Sequence, residues 1–311
     1  MKKLISIVTP VYNEEETLDL YFNELITQTK KLNEYYNFEL ILVDNNSTDN
    51  TYEILKKYKN KIDFLKIYKL TKNFGYQKSL WTGITLSKGD VCITLDADLQ
   101  DPTDMIEKFL EKWEEGYKIV YGVRVKREEN FIISAFRKIF YKLINKLSEN
   151  NLPQNAGDFM LIDKKIINLL KNLNEHDIYL RGLIFSFGFK RIGIDYNRKN
   201  RNRGESKFKL LNLISFAINS FFNEGIFPLR LATIFGISLF FISIILFVFY
   251  FFTKIFNILI FPPGYATLLL ILLISTALNG IFLGIIGEYI ARIQRKTRNI
   301  PITIIEEKDE N

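Results

Sequence analysis

Two stretches of 23 residues, Leu231–Thr253 and Tyr265–Gly287, contain no charged side chain, and no other feature limits the fold of this chain as much. As helices rising ~1.5 Å per residue, each covers roughly 35 Å, enough to cross a hydrocarbon core of ~30 Å. A buried hairpin of core helices is the alternative, and the length and purity of both runs favour membrane spans. The connector Lys254–Gly264 holds one charge and the break Pro262-Pro263-Gly264, whereas Arg230 precedes the first run and Arg292, Arg295, Lys296 and Arg298 follow the second. Basic flanks face the cytoplasm, which predicts both chain ends inside and the connector outside, in a plasma (inner) membrane. Residues 226–290 are thus expected to form a two-helix transmembrane region, and 291–311 a cytoplasmic tail whose acidic end, Glu306–Asn311, reads as frayed. Upstream, Phe131–Leu147 and Phe208–Phe222 interleave aromatic and aliphatic residues with Lys and Arg. Each suits an amphipathic helix lying on anionic membrane lipids, the second within a juxtamembrane segment 206–225. Gly280, Gly284 and Gly287, at helical spacing, permit the close helix packing of a homo-oligomer.

Residues 1–205 read differently. Short β-rich runs (Leu4–Val8, Phe38–Val43, Phe64–Leu70, Val91–Leu95, Lys118–Tyr121) alternate with helical patterns near Glu14–Lys31, Asp49–Tyr58, Gln77–Ser87 and Thr103–Glu115. The first run is too short for a signal peptide and reads as a buried strand. This alternation predicts an α/β domain with a mostly parallel sheet covered by helices on both faces. Ligands of such sheets bind at the carboxyl ends of the strands, so the polar clusters that follow strands are where chemistry is sought.

The 311 residues include one cysteine and one histidine. That excludes a disulfide framework, dithiol redox chemistry and a zinc site of several His and Cys ligands, leaving oxygen-ligated Mg²⁺ or Mn²⁺ as the metal to expect. The formal charge of +7 points to anionic partners. After the fourth strand comes Leu95-Asp96-Ala97-Asp98-Leu99-Gln100-Asp101-Pro102, in which an apolar run ends abruptly in two carboxylates. Such a corner can serve a sugar or ribose with one carboxylate and a divalent cation with the other, Gln100 adding an amide oxygen while phosphates and water complete the shell. Thr9-Pro10-Val11-Tyr12-Asn13-Glu14 follows the first strand, and Asp44-Asn45-Asn46-Ser47-Thr48-Asp49 the second. Together these loops could hold a nucleotide base between hydrogen bonds and an aromatic or proline surface, with Ser47 or Thr48 also able to cap the next helix. Cys92 reads as a small buried residue, and His176 as structural or surface.

These motifs, with Asn73-Phe74-Gly75, Gly122-Val123-Arg124, Gly157-Asp158-Phe159, Gly204-Glu205-Ser206-Lys207, Pro228-Leu229-Arg230 and Gly287-Glu288-Tyr289-Ile290, resemble the family 2 glycosyltransferases of GT-A fold. More narrowly, the chain is similar to the polyprenyl-phosphate sugar transferases, a group that includes dolichol-phosphate mannosyltransferases and bacterial undecaprenyl-phosphate glucosyltransferases. The resemblance implies an inverting, metal-dependent transfer of a sugar from a nucleotide diphosphate to undecaprenyl or dolichyl phosphate. Glucose from UDP-glucose is the first expectation and mannose from GDP-mannose the second, with no nucleic-acid partner. It implies that Pro10, Tyr12, Glu14 and Asp44 surround base and ribose. Asp96, Ala97, Asp98 and Gln100 would form the metal and diphosphate corner, with Asp96, Asp98 and Gln100 as the metal-binding set. Arg124, Arg201 and Lys207 would supply charge to phosphates, and Asp158 and Arg201 would be catalytic. The chain departs from the common Asp-Asp-Gly-Ser at Asp44-Asn45-Asn46-Ser47, which bears on nucleotide identity. A processive polysaccharide synthase would be expected to carry Gln-x-x-Arg-Trp, and neither Trp81 nor Trp113 follows an arginine. A dinucleotide oxidoreductase would need Gly-x-Gly-x-x-Gly after the first strand. An inactive scaffold or flippase component would have no use for Asp96, Asp98 and Gln100 together.

Overall fold

The computed structural model describes residues 2–125, 156–173, 178–198, 264–297 and 301–310, with isolated positions between 238 and 256. The segments 131–147 and 206–225, the continuous run of the first expected span, and Arg201, Lys207 and His176 lie outside the described residues. The chain divides into two compact units: Met1–Leu213 with Ile300–Asn311, and Ile214–Asn299.

In the first unit the strands are β1 (Lys3–Val11), β2 (Tyr36–Asp44), β3 (Leu65–Leu70), β4 (Val91–Thr94), β5 (Ile119–Arg124), β6 (Ala156–Asp163), β7 (Arg191–Tyr196) and β8 (Ile305–Asp309). The helices are α1 (Leu18–Leu32), α2 (Thr51–Lys59), α3 (Tyr76–Leu86), α4 (Met105–Glu114), α5 (Lys164–Lys171) and α6 (Leu180–Ser186). The strands form one sheet in the order β7-β5-β6-β4-β1-β2-β3-β8. β4, β1, β2 and β3 are parallel neighbours, as are β5 and β7, while β6 and β8 run antiparallel to their partners. The mostly parallel sheet expected from the alternation is present. Successive residues feed opposite faces: Ile7, Leu40 and Leu42 join one core with residues of α1, α2 and α4, while Val8, Ile41 and Val43 join a second with residues of α3, α5 and α6. A strand buried on both faces needs apolar residues at every position, which is why β1 and β2 read as unbroken apolar runs. α4 buries Met105, Ile106, Phe109, Leu110 and Trp113, a helical stripe.

Three features position the site. β1 sits between β2 and β4, so the chain leaves it toward one side of the sheet and returns on the other, opening a crevice at the carboxyl ends. β6 runs the other way, so its beginning, Ala156-Gly157-Asp158, lies beside the end of β4, with Met160 in register with Thr94. The third feature corrects the sequence reading. The acidic end is not frayed: Ile305–Asp309 pairs with β3 as the edge strand of the sheet. Ile302 and Ile305 pack on the core, Glu307 accepts a hydrogen bond from the Tyr52 hydroxyl at 2.7 Å, and Lys69 meets Glu306 at 3.2 Å.

In the second unit, helix α7 runs Tyr265–Thr297, 33 residues. Its side chains are described in part, and among the described residues no helix is long and apolar enough to cross a membrane.

Candidate active site

The loops after β1 and β2 are tied together by their own side chains. Asn13 N–H donates to Ser47 Oγ at 3.0 Å, and Ser47 in turn donates its hydroxyl to Asp44 Oδ1 at 2.5 Å. Thr48 N–H donates to Asn13 Oδ1 at 2.8 Å, and Glu14 N–H to Thr51 Oγ1 at 2.8 Å. Asp44 is fully buried, and burial pushes its carboxyl up despite the Ser47 hydrogen bonds. Pro10 is buried at the end of β1, opposite Val43, while Tyr12 and Glu14 are half-buried in the loop beyond. The structure therefore brings Pro10, Tyr12, Glu14 and Asp44 to one pair of interlocked loops. Asn45, the position at which the chain departs from the expected Asp-Asp-Gly-Ser, donates from Nδ2 to Asn73 Oδ1 at 2.8 Å and accepts from Phe74 N–H at 2.8 Å. A carboxylate could not make the first of these bonds, so the departure has a structural use: it locks the β3–α3 loop to the end of β2.

Backbone conformation marks the same rim. Asn13, Asn46 and Leu99 have φ of 53°, 60° and 55°, one in the loop after each of β1, β2 and β4. Asn tolerates this left-handed region, but a buried Leu does so at a cost, and such residues concentrate at functional sites. Leu99 sits between Asp98 and Gln100, and Gln100 N–H folds back onto Asp98 Oδ1 at 3.2 Å.

The carboxylates of the β4 end meet Asp158 through α3. Tyr76 donates its hydroxyl to Asp96 Oδ1 at 2.7 Å, and the next residue, Gln77, donates from Nε2 to Asp158 Oδ2 at 2.9 Å. Gln77 Oε1 also accepts from Leu180 N–H at 3.1 Å, fixing the amide between two elements. The Asp96 carboxyl is pushed up to about 7, first by burial, then by Asp101, with Asp98 and Asp158 adding to it against the Tyr76 hydrogen bond. Beside them Arg124 ends β5. Burial alone would loosen its proton, yet Asp101, Tyr196 and Asp96 hold its pKa above the usual value. The structure thus gathers Asp96, Ala97, Asp98, Gln100, Arg124 and Asp158 at one end of the sheet. Sequence reasoning passed over Tyr76, Gln77, Asp101, Tyr196 and Arg198. The available signals were the third carboxylate of Asp96–Asp101 and the position of Tyr76 and Gln77 directly after Asn73-Phe74-Gly75.

A divalent cation suits this corner. Its donors are all oxygens, the neighbouring carboxylates help push the Asp96 carboxyl up, and Asp101 Oδ2 is buried without a hydrogen-bond partner. Among the described residues no three His, Cys, Asp or Glu side chains gather closely enough to hold a metal by themselves. Mg²⁺ or Mn²⁺ held by one or two carboxylates and completed by phosphate and water is the arrangement such a donor set allows.

A mostly parallel α/β sheet with an Asp-x-Asp turn at its carboxyl edge and an arginine beside it is the arrangement of the GT-A-like class. Within that class the chain belongs to glycosyl transferase family 2, whose signature matches residues 6–170, and it is a glycosyltransferase. It is 33% identical to an uncharacterized glycosyltransferase of Synechocystis over 97% of this chain and 94% of that protein. It is 30% identical to the bactoprenol glucosyl transferase of Shigella phage SfX over 98% of this chain and 99% of that one. Among solved structures, mannosyl-3-phosphoglycerate synthase from Rubrobacter xylanophilus aligns over 70% of this chain and 71% of its own at 17% identity, with a TM-score of 0.47.

Proposed function

We propose that this protein transfers a sugar, glucose from UDP-glucose in the first instance, to a polyprenyl phosphate such as undecaprenyl phosphate, with inversion at the anomeric carbon. The observation that carries the reading is the gathering of Asp96 and Asp158, held by adjacent residues of α3, at the sheet end where Asp96 and Asp101 act on the guanidinium of Arg124. Anionic and cationic groups side by side suit a reaction between two phosphate-bearing substrates, and the full-length similarity to a bactoprenol glucosyl transferase supports the lipid acceptor.

In this reading Pro10, Tyr12, Glu14 and Asp44 hold the nucleoside. A phosphate oxygen of the lipid attacks the anomeric carbon, and a new C–O bond forms as the bond to the diphosphate oxygen breaks. The attacking phosphate is already anionic near neutral pH if it titrates like a phosphomonoester, with a second pKa of about 6. Asp158 therefore has an orienting task and need not remove a proton. Arg124, with Arg201 and Lys207, lowers the repulsion between acceptor phosphate and donor diphosphate, an effect strengthened where water is excluded. Asp96, Asp98 and Gln100 would hold Mg²⁺ or Mn²⁺, which when bound supplies charge stabilisation to the leaving diphosphate.

The membrane reading is part of the same proposal. α7 is 33 residues long, its first 23 residues are uncharged, and Leu268, Ile271, Leu283, Ile286, Ile290 and Ile293 stand exposed along it. Water is a poor environment for such a stripe and lipid a good one.

A panel of labelled nucleotide sugars with undecaprenyl phosphate tests the reading. Asp98→Asn is expected to lower turnover by about a hundredfold or more while leaving expression and membrane insertion intact, as for loss of a group that stabilises transition-state charge. Chelation by EDTA should abolish transfer and excess Mg²⁺ or Mn²⁺ restore it. Undiminished transfer in EDTA would remove the metal from the account.

A further inference from the structure

Arg124 and Tyr196 end two neighbouring parallel strands and are partners in register. The Arg124 Nε–H donates to the Tyr196 hydroxyl at 3.1 Å, and that hydroxyl donates to Asp101 Oδ1 at 2.5 Å. The direction is chemically fixed. A guanidinium can only donate, so the single hydroxyl proton of Tyr196 is committed to the carboxylate. Asp101 and Tyr196 are almost fully buried, at 1% and 5% exposure. Arg124 Nη2 and Arg198 Nε lie 3.9 and 3.4 Å from the same Asp101 oxygen.

Two glycines make room for this arrangement. A Cβ on Gly122 would stand 2.6 Å from Cε1 of Tyr196, and a Cβ on Gly157 would stand 2.8 Å from Nη2 of Arg124. The ring therefore fills a slot over the first glycine, and the guanidinium lies against the second, whose neighbour in sequence is Asp158. With Nε engaged, the Nη end of the fork, whose Nη2 lies 3.9 Å from Asp101, has the geometry in which guanidinium recognises a phosphate.

We propose that Tyr196, braced by Asp101, is a positioning residue that sets the guanidinium of Arg124 over Gly157, ready for a substrate phosphate. The inference rests on the glycosyl-transfer reading above. Tyr196 touches no reacting atom; it acts through Arg124, and no local pattern points to it because its partners lie 72 and 95 residues away.

A double-mutant cycle in the full-length, membrane-embedded chain tests this. Tyr196→Phe keeps the ring in its slot and removes only the hydroxyl. It should lower kcat about tenfold, the effect of losing one charge-assisted hydrogen bond in the transition state, while the chain still folds with a lowered melting temperature, since the buried Asp101 loses a donor. Placed on Arg124→Ala, the same substitution should have no further effect, because the group it positions is gone. Gly157→Ala, which presses on the far end of the guanidinium from the other side, should give a similar loss that does not multiply with that of Tyr196→Phe. Full turnover in Tyr196→Phe would overturn the proposal, as would an undiminished loss on the Arg124→Ala background. Failure of the wild-type chain to transfer sugar is a different result and counts against the functional reading instead.

Discussion

Asp163 fastens three elements with one carboxylate. Oδ2 accepts the Trp113 indole N–H at 2.8 Å and the Lys118 ammonium at 2.7 Å, while Oδ1 caps α5 through Lys165 N–H at 3.0 Å. Burial alone would raise this carboxyl; Lys118, Trp113 and Lys165 together hold it below its usual value. Asp163→Asn should therefore cost about 2 kcal/mol at neutral pH, the range for hydrogen bonds to a buried charged group. Because the folded pKa lies below the unfolded one of about 3.9, the stabilisation is complete above the unfolded value and is lost as pH falls through the folded one. Denaturant titrations at neutral pH and at about pH 3 should show the gap between wild type and variant narrowing on acidification; a gap independent of pH would contradict this ionic role. At the same scale the sequence was legible where a residue's chemistry is carried by near neighbours. Asp96, Ala97 and Asp98 announce themselves by ending a strand, whereas Asn45 looked like a lost carboxylate until its bonds to Asn73 and Phe74 gave it a task.

Among the elements, β1 to β5 and α1 to α4 were readable because each buries a regular stripe or an unbroken apolar run, and the period of burial is the period of the pattern. β7 and β8 were not. Both lie at sheet edges, where only part of each side chain is covered, so neither carries a clean apolar period. β8 is held by groups that declare themselves only in three dimensions: Tyr52 and Lys56 on α2, Lys69 on β3, and Thr82 on α3, which meets Thr303 at 2.7 Å. It also supports the site indirectly, since Thr71 N–H donates to Ile304 O at 3.0 Å at the head of the loop that Asn45 locks. The exposed Lys–Glu pairs contribute little singly, about 1 kcal/mol or less, so replacing Glu307 alone should have a small effect on stability. Removing residues 302–311 should do much more, because β3 becomes an open edge. Hydrogen exchange across Leu65–Leu70 is the check: protection should fall sharply in the truncated chain, and unchanged protection would mean β8 adds nothing to the sheet.

For the whole molecule, β8 adds a constraint that charge counting alone does not supply. Residues 300–311 belong to the α/β unit, so whatever crosses a membrane between residues 214 and 299 must cross it an even number of times. The two spans proposed above would satisfy this and would agree with the basic flanks at Arg230 and at Arg292–Arg298. Transfer to a lipid phosphate makes the reaction depend on the acceptor. The purified full-length chain would be given labelled UDP-glucose and Mg²⁺ with undecaprenyl phosphate, with undecaprenol, or with no lipid, and the label in the organic phase measured. A labelled glycolipid is expected with undecaprenyl phosphate alone; equal labelling with undecaprenol, or an aqueous polymer formed without any lipid phosphate, would rule out transfer to the lipid phosphate.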